Sequence, residues 1–167
     1  LAWSGVYAST ARQGRVTGLH VLSHVVGIVL LEVIDGLRTS QDTIDIVTAV
    51  GQHMVRRTIR AKDKPVFIVN RMLRPMLNEA VQVLDEDIGS VEDVDEGMMR
   101  GCNHRMGPLA LADMIGLDIL LEVRETFYID LGDTKYRRAH LLRQKEAAGH
   151  LGRRSGLGLE VQAYGRQ

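Results

Sequence analysis

Between Val25 and Ile34 the chain is almost continuously apolar, and the one ionisable interruption is Glu32. The run is too short to span a bilayer and rich in β-branched residues, so it reads as a strand buried on both faces of a sheet. Such a strand needs neighbours on either side and helices above and below it. Glu32 needs a partner as well, because burying an unpaired carboxylate is costly. An α/β layer with a polar group locked inside it is the first expectation.

The surrounding pattern extends that expectation. Val16–Leu22 is short, β-branched and bounded by Gly14 and Ser23, which predicts a strand before the apolar run. Gly36 closes the run, and Ser40 is an N-cap for a helix over about Gln41 to Arg56, with Asp42 in its first turn. Ile44, Val47, Val50 and Met54 form its expected buried stripe. Arg57–Ala61 predicts one more, rather polar, strand. After Asp63 the texture becomes helical. Phe67–Asp87 is long and amphipathic with Pro75 inside it, Ser90 with Glu92 and Asp93 starts a helix running to Gly101, and Gly107-Pro108 opens another over Leu109–Met114. Gly116 separates that from a helix over Leu117–Leu131, and a last helix covers Ala139–Ala148 with Gly149 at its C′ position. The Gly- and Arg-rich tail from Leu151 is expected on the surface.

The expected fold class is α+β: residues 1–62 carry the final strands and helix of an incomplete Rossmann-like α/β domain, and residues 63–167 a mainly α-helical domain. A doubly wound sheet places its dinucleotide-binding G-x-G-x-x-G after the first strand. No such motif stands near the start, and Gly152, Gly156 and Gly158 have the wrong context. With no initiator Met and no basic-then-apolar segment at Leu1–Ser4, the chain reads as a piece of something longer, without a signal peptide.

Composition narrows the function. Twenty-one basic residues balance twenty-one acidic ones, so no field draws the chain to nucleic acid or an anionic membrane. Aromatics at 4 % are too few for a base-stacking platform, which leaves Leu, Val, Ile and Met to build the core. The lone Cys102 excludes an internal disulfide, reads as a small buried residue, and fits a reducing, cytoplasmic location. His24 lies four residues after His20, a spacing that means little for metal in a strand-turn context, so it reads as solvated.

Phe67-Ile68-Val69-Asn70-Arg71 followed by Pro75, Leu77, Asn78, Glu79 and Ala80 resembles the opening of the C-terminal domain of 3-hydroxyacyl-CoA dehydrogenases. The run Asn103 to Asp118, Leu141-Leu142-Arg143-Gln144 and Leu151 to Gly156 resemble later segments, and Gly18-Leu19-His20 and Leu31-Glu32-Val33-Ile34 earlier ones, in the family's order. Bacterial 3-hydroxybutyryl-CoA dehydrogenases look nearest. The resemblance implies an NAD-binding domain, a helical domain that makes a homodimer, and an acyl-CoA substrate. It implies that His20 is the general base for the 3-hydroxyl while hydride leaves C3 for NAD, that Glu32 orients that histidine and stabilises the imidazolium that forms, and that Asn70 lies near the substrate. Twelve residues separate His20 from Glu32, enough for a turn and a return strand to set them side by side. Read without the resemblance, His20 and Glu32 are a structural ion pair and Asn70 a helix cap.

The chain also departs from the family. Val21, Leu22, Ser23 and His24 replace two aromatics and Asn-Pro, and Arg105 stands where proline is common. Leu159-Glu160 replaces the final aromatics after Gly158. Val66 replaces a glycine before Phe67, which predicts an altered turn, since valine resists positive φ. The family's active-site serine falls before Leu1. Alone, the chain is expected to be inactive. The alternative reading is a non-catalytic helical dimerisation or acyl-CoA-binding module.

Overall fold

The structure, a computed structural model, describes residues 4–22, 30–54, 57–121 and 139–159. Contacts divide the chain into two compact units, Leu1–Arg71 and Met72–Gln167.

The first unit holds a three-stranded sheet in the order β1 (Gly18–Leu22), β2 (Leu30–Asp35), β3 (Arg57–Lys62). A short helix α1 (Ser4–Ala8) precedes it, and α2 (Gln41–Met54) links β2 to β3. β1 runs antiparallel to β2, with His20 opposite Glu32, and β3 runs parallel to β2. The central strand carries the apolar run, and Leu31, Glu32, Val33 and Ile34 are at most 1 % exposed. It begins at Leu30; the predicted portion 25–29 lies outside the described residues, as does His24. Alternation sends Leu31 and Val33 to one face, where Ile44 and Val47 of α2 pack on them, and Glu32 to the other.

The predicted stripe on α2 needs correction. Ile44 is buried, but Val50 and Met54 are exposed, and Gly51 faces the sheet instead. A side chain at Gly51 would meet Leu31 Cδ2 at 2.6 Å and Thr58 Cγ2 at 2.8 Å, so the helix lies on the sheet through its smallest residue. Hydrophobicity alone could not show that, because the contact is made by an absence of side chain.

Asp35 ends β2 beside Arg60 and Lys62 of β3, and it forms ion pairs with both. Burial raises its carboxyl, but the hydrogen bonds from Lys62 and Arg60 outweigh that and hold it below the ordinary carboxylate range.

The second unit is helical. It comprises most of α3 (Val69–Asp85), then α4 (Val91–Gly101), α5 (Pro108–Ile115), helical residues 117–121 and α6 (His140–Ala147). Its core is aliphatic: Leu77 and Val81 of α3 meet Leu109, Ala112, Leu117, Leu120 and Leu142. α4 starts with a capping box, Ser90 and Asp93 each accepting the other's backbone N–H. α6 ends before Gly149, whose φ of 75° suits its predicted C′ place. Cys102, expected to be buried, is exposed, because it is the residue that ends α4.

The other helix starts in this unit are held from a distance. Buried Asp95 on α4 accepts the N–H groups of Leu109 and Ala110 at 2.7 and 3.0 Å, at the start of α5. A side chain at Gly107 would fall 2.1 Å from Asp95 Cγ, so glycine there leaves the carboxylate its place. Asn78 Oδ1 accepts from Ala139 at the start of α6, and Asp113 accepts from Leu159. Acceptors placed at helix N-termini, as Asp95 and Asn78 are, satisfy donors the helix itself cannot.

Two outcomes follow. Asp95→Ala leaves two buried donors unpaired, at about 1–3 kcal/mol each. Urea unfolding should show a stability loss of roughly 2–6 kcal/mol with little change in slope. For Asp35, a depressed folded pKa means stability that is complete above the unfolded value near about pH 4 and lost as pH falls through the folded one. The partners are half to three-quarters exposed, so the contribution is about 1 kcal/mol or less. Asp35→Asn should be less stable than the parent at neutral pH, with the gap closing in acid; a gap that persists at the lowest pH would refute the assignment.

Candidate active site

The described residues contain one place where a titratable pair is both buried and oriented from several directions, and it lies wholly in the first unit. The antiparallel register puts His20 directly opposite Glu32, so their side chains project from the same face. His20 Nδ1 stands 2.6 Å from Glu32 Oε2. The carboxylate is fully buried, while the histidine side chain keeps 26 % of its surface accessible. With Nδ1–H donating to the carboxylate, the lone pair sits on Nε2, at the far end of the ring.

The second oxygen of Glu32 is also used. Oε1 accepts the backbone N–H groups of Ile68 and Val69, each at 3.1 Å, where α3 begins. One carboxylate thus binds an imidazole on the neighbouring strand and the N-terminus of a helix that follows 36 residues later. The helix end places positive potential beside the charge, and the three hydrogen bonds together offset the cost of burying it.

The turn that aims these amides is strained. Val66 and Phe67 have φ of 56° and 60°. Valine at position 66 was expected to alter any turn needing positive φ; instead Val66 itself enters the left-handed region, and the helix begins two residues later than predicted, at Val69. Such a conformation in a β-branched residue costs on the order of 1–3 kcal/mol and persists only where its surroundings impose it. Here the turn also carries the Phe67 ring to the imidazole of His20, with centroids 5.5 Å apart and planes inclined at 50°. The imidazole is therefore held on one edge by a carboxylate and flanked by an aromatic ring.

Asn70 follows Val69 directly and is buried at 9 % exposure. It does not cap α3, since Glu32 takes the amides there, and its Oδ1 has no hydrogen-bond partner. Of the three residues singled out in the sequence, His20 and Glu32 are in direct contact, and Asn70 lies in the first turn of the helix that Glu32 holds. Phe67 and the amides of Ile68 and Val69 were missed. Phe67 could have been suspected, as one of only two phenylalanines in the chain. The amides left no signal, because backbone donors carry no side-chain identity.

β2 leads into α2 through Gly36-Leu37-Arg38-Thr39-Ser40, where Thr39 Oγ1 accepts the N–H of Gly36 and Ser40 Oγ that of Thr43. Among the described residues, no group of three His, Cys, Asp or Glu is arranged to hold a metal ion, and no helix is long and apolar enough to cross a membrane.

Comparison with known proteins agrees along the chain. Residues 1–64 match the family model of the 3-hydroxyacyl-CoA dehydrogenase NAD binding domain, and residues 67–161 that of the 3-hydroxyacyl-CoA dehydrogenase C-terminal domain. A probable 3-hydroxybutyryl-CoA dehydrogenase of Bacillus subtilis is 45 % identical over 92 % of this chain and 53 % of its own length. The 3-hydroxybutyryl-CoA dehydrogenase of Clostridioides difficile is 40 % identical over 95 % of this chain and 56 % of its own. The crystal structure of (S)-3-hydroxybutyryl-CoA dehydrogenase from Ralstonia eutropha superposes with a TM-score of 0.90 at 46 % identity, covering 95 % of this chain and 56 % of that one. The chain spans about half the length of the curated relatives it matches. NAD is the cofactor that the matched domain takes its name from. On two matched domains and relatives of this identity, the chain belongs to the 3-hydroxyacyl-CoA dehydrogenase family.

Proposed function

We propose that this chain carries the proton-transfer half of an NAD-dependent 3-hydroxyacyl-CoA dehydrogenase. The observation that supports it is the imidazole bound at Nδ1 by a fully buried carboxylate. In this reading the 3-hydroxyl of the acyl-CoA gives its proton to Nε2 of His20 as hydride leaves C3, and the C–O bond becomes a carbonyl. Glu32 fixes the tautomer beforehand and stabilises the imidazolium afterwards, which is the usual service of a carboxylate behind a histidine base. Asn70 offers a buried amide oxygen without a partner to the substrate side of the same helix turn. No residue is assigned to the hydride acceptor in this reading.

The relatives' names point to short 3-hydroxyacyl groups. A homodimer through the helical unit belongs to the same proposal. An apolar groove between α3 and α4, lined by Met76, Ala80, Val83, Ile88, Val94 and Met98, gives that unit a surface to bury.

Calorimetry on the chain alone tests the division of labour. Acetoacetyl-CoA should bind weakly and NADH not at all, with no NADH oxidation when both are present. Clear NADH binding or turnover would defeat the proposal that this chain holds only half the chemistry.

Glu32 has two tasks, and substitution separates them. Glu32→Ala should lose about 3–5 kcal/mol of stability, because the amides of α3 and the imidazole both lose their acceptor. His20→Ala should cost far less, about 1–2 kcal/mol, since Glu32 keeps its two amides. Equal losses in the two variants would mean that the helix contact contributes nothing.

A further inference from the structure

The turn before α3 carries side chains where glycine would be easiest. Val66 and Phe67 take φ of 56° and 60° in succession. Glycine enters that region freely, whereas a residue with a Cβ enters it at a cost. Elsewhere in the chain helix starts avoid it: α4 begins from Ser90 at φ −70° and α5 from Gly107 at φ −62°. Presenting the amides of Ile68 and Val69 to Glu32 explains the shape of the turn. It does not explain the residue at position 67, because backbone donors are supplied by any residue but proline. A phenylalanine held at positive φ needs a use for its ring.

That use is not core packing, since among the described residues neither aliphatic core includes Phe67. Its ring stands instead 5.5 Å from the imidazole of His20 and is tilted by 50° to it, a separation that aromatic pairs favour. The imidazole has need of such a neighbour. Its bond to Glu32 holds one ring atom, Nδ1, and 26 % of the side chain is accessible. A planar ring held at one atom can rock about that bond, and the rocking swings Nε2 on the far edge. Proton transfer needs Nε2 aimed at one place, where a misplacement of about 1 Å costs on the order of a hundredfold in rate.

We propose that Phe67 is a positioning residue for His20: its ring stops the imidazole from rocking about the bond to Glu32 and so fixes the direction of Nε2. The proposal rests on the reading of His20 as the base and adds the side chain that aims it. All the groups concerned, His20, Glu32, Val66 and Phe67, belong to the first unit. An aromatic ring suits the task better than an aliphatic chain. Its quadrupole gives the pair a preferred tilt, and its face attracts the imidazolium that forms.

Nuclear magnetic resonance on the chain as it stands tests this. With six histidines and two phenylalanines, the ring signals can be labelled and assigned. At about pH 8, above the ordinary histidine range, imidazole nitrogen shifts report the tautomer and ring C–H relaxation reports mobility. In the parent, Phe67 and His20 ring protons should show mutual Overhauser contacts. Nδ1 should carry the proton, and the His20 ring should have an order parameter near about 0.85. Phe67→Leu should keep that tautomer and the amide signals of Ile68 and Val69, while the order parameter falls below about 0.6. Phe67→Tyr should restore the rigid value. Unchanged mobility in Phe67→Leu, or no contact between the two rings in the parent, would overturn the role of Phe67 and leave the base reading standing. Displacement of the Ile68 and Val69 amides together with the imidazole would make Phe67 a residue of the turn alone and refute the proposal. A proton on Nε2 instead of Nδ1 in the parent would sink the reading of His20 as the base, whatever Phe67 does.

Discussion

A single carboxylate, buried without any accessible surface, organises the first unit. Glu32 sits on the central strand between buried Leu31 and Val33, and it is tolerable there only because three donors converge on it. One donor is the imidazole of the adjacent strand, and two are amides at the head of α3. Remove any of them and the charge is left partly unsatisfied in a low-dielectric surrounding. The strand pairing, the strained turn at Val66 and Phe67, and the starting point of α3 all answer to that one requirement.

The second unit repeats the device in a milder form. Asp95 and Asn78 each reach across sequence to satisfy backbone donors at the start of a helix, and Asp113 does the same for the backbone of Leu159. The helices there are short and their core is made of Leu, Val and Ala, side chains that pack well but fix orientation weakly. A directional bond from a remote carboxylate or amide supplies what such a core lacks, namely a definite angle and register for each helix.

How much of this could be read from residues alone depends on where the information lay. The buried strand and the pairing of His20 with Glu32 were legible, because a charge in an apolar run demands a partner and the hairpin spacing provides one. The capping box of Ser90 and Asp93 was legible for the same reason: it is local, and its residue types are specific. The face of α2 was misread, since Gly51 makes its contact by having no side chain, and hydrophobicity counts Val50 and Met54 instead. The second task of Glu32 was invisible, because its partners are backbone amides 36 and 37 residues away. Arg74 carried no signal in the sequence, since only its burial in the fold sets it apart.

The two oxygens of Glu32 also tie together partners of very different range. His20 lies twelve residues away across an antiparallel strand pair. Ile68 and Val69 lie 36 and 37 residues away, at the head of α3. The setting of the imidazole therefore depends on a contact its own strand pair does not contain: a local opening that frees the head of α3 loosens the carboxylate, and with it the histidine, while β1 and β2 stay paired.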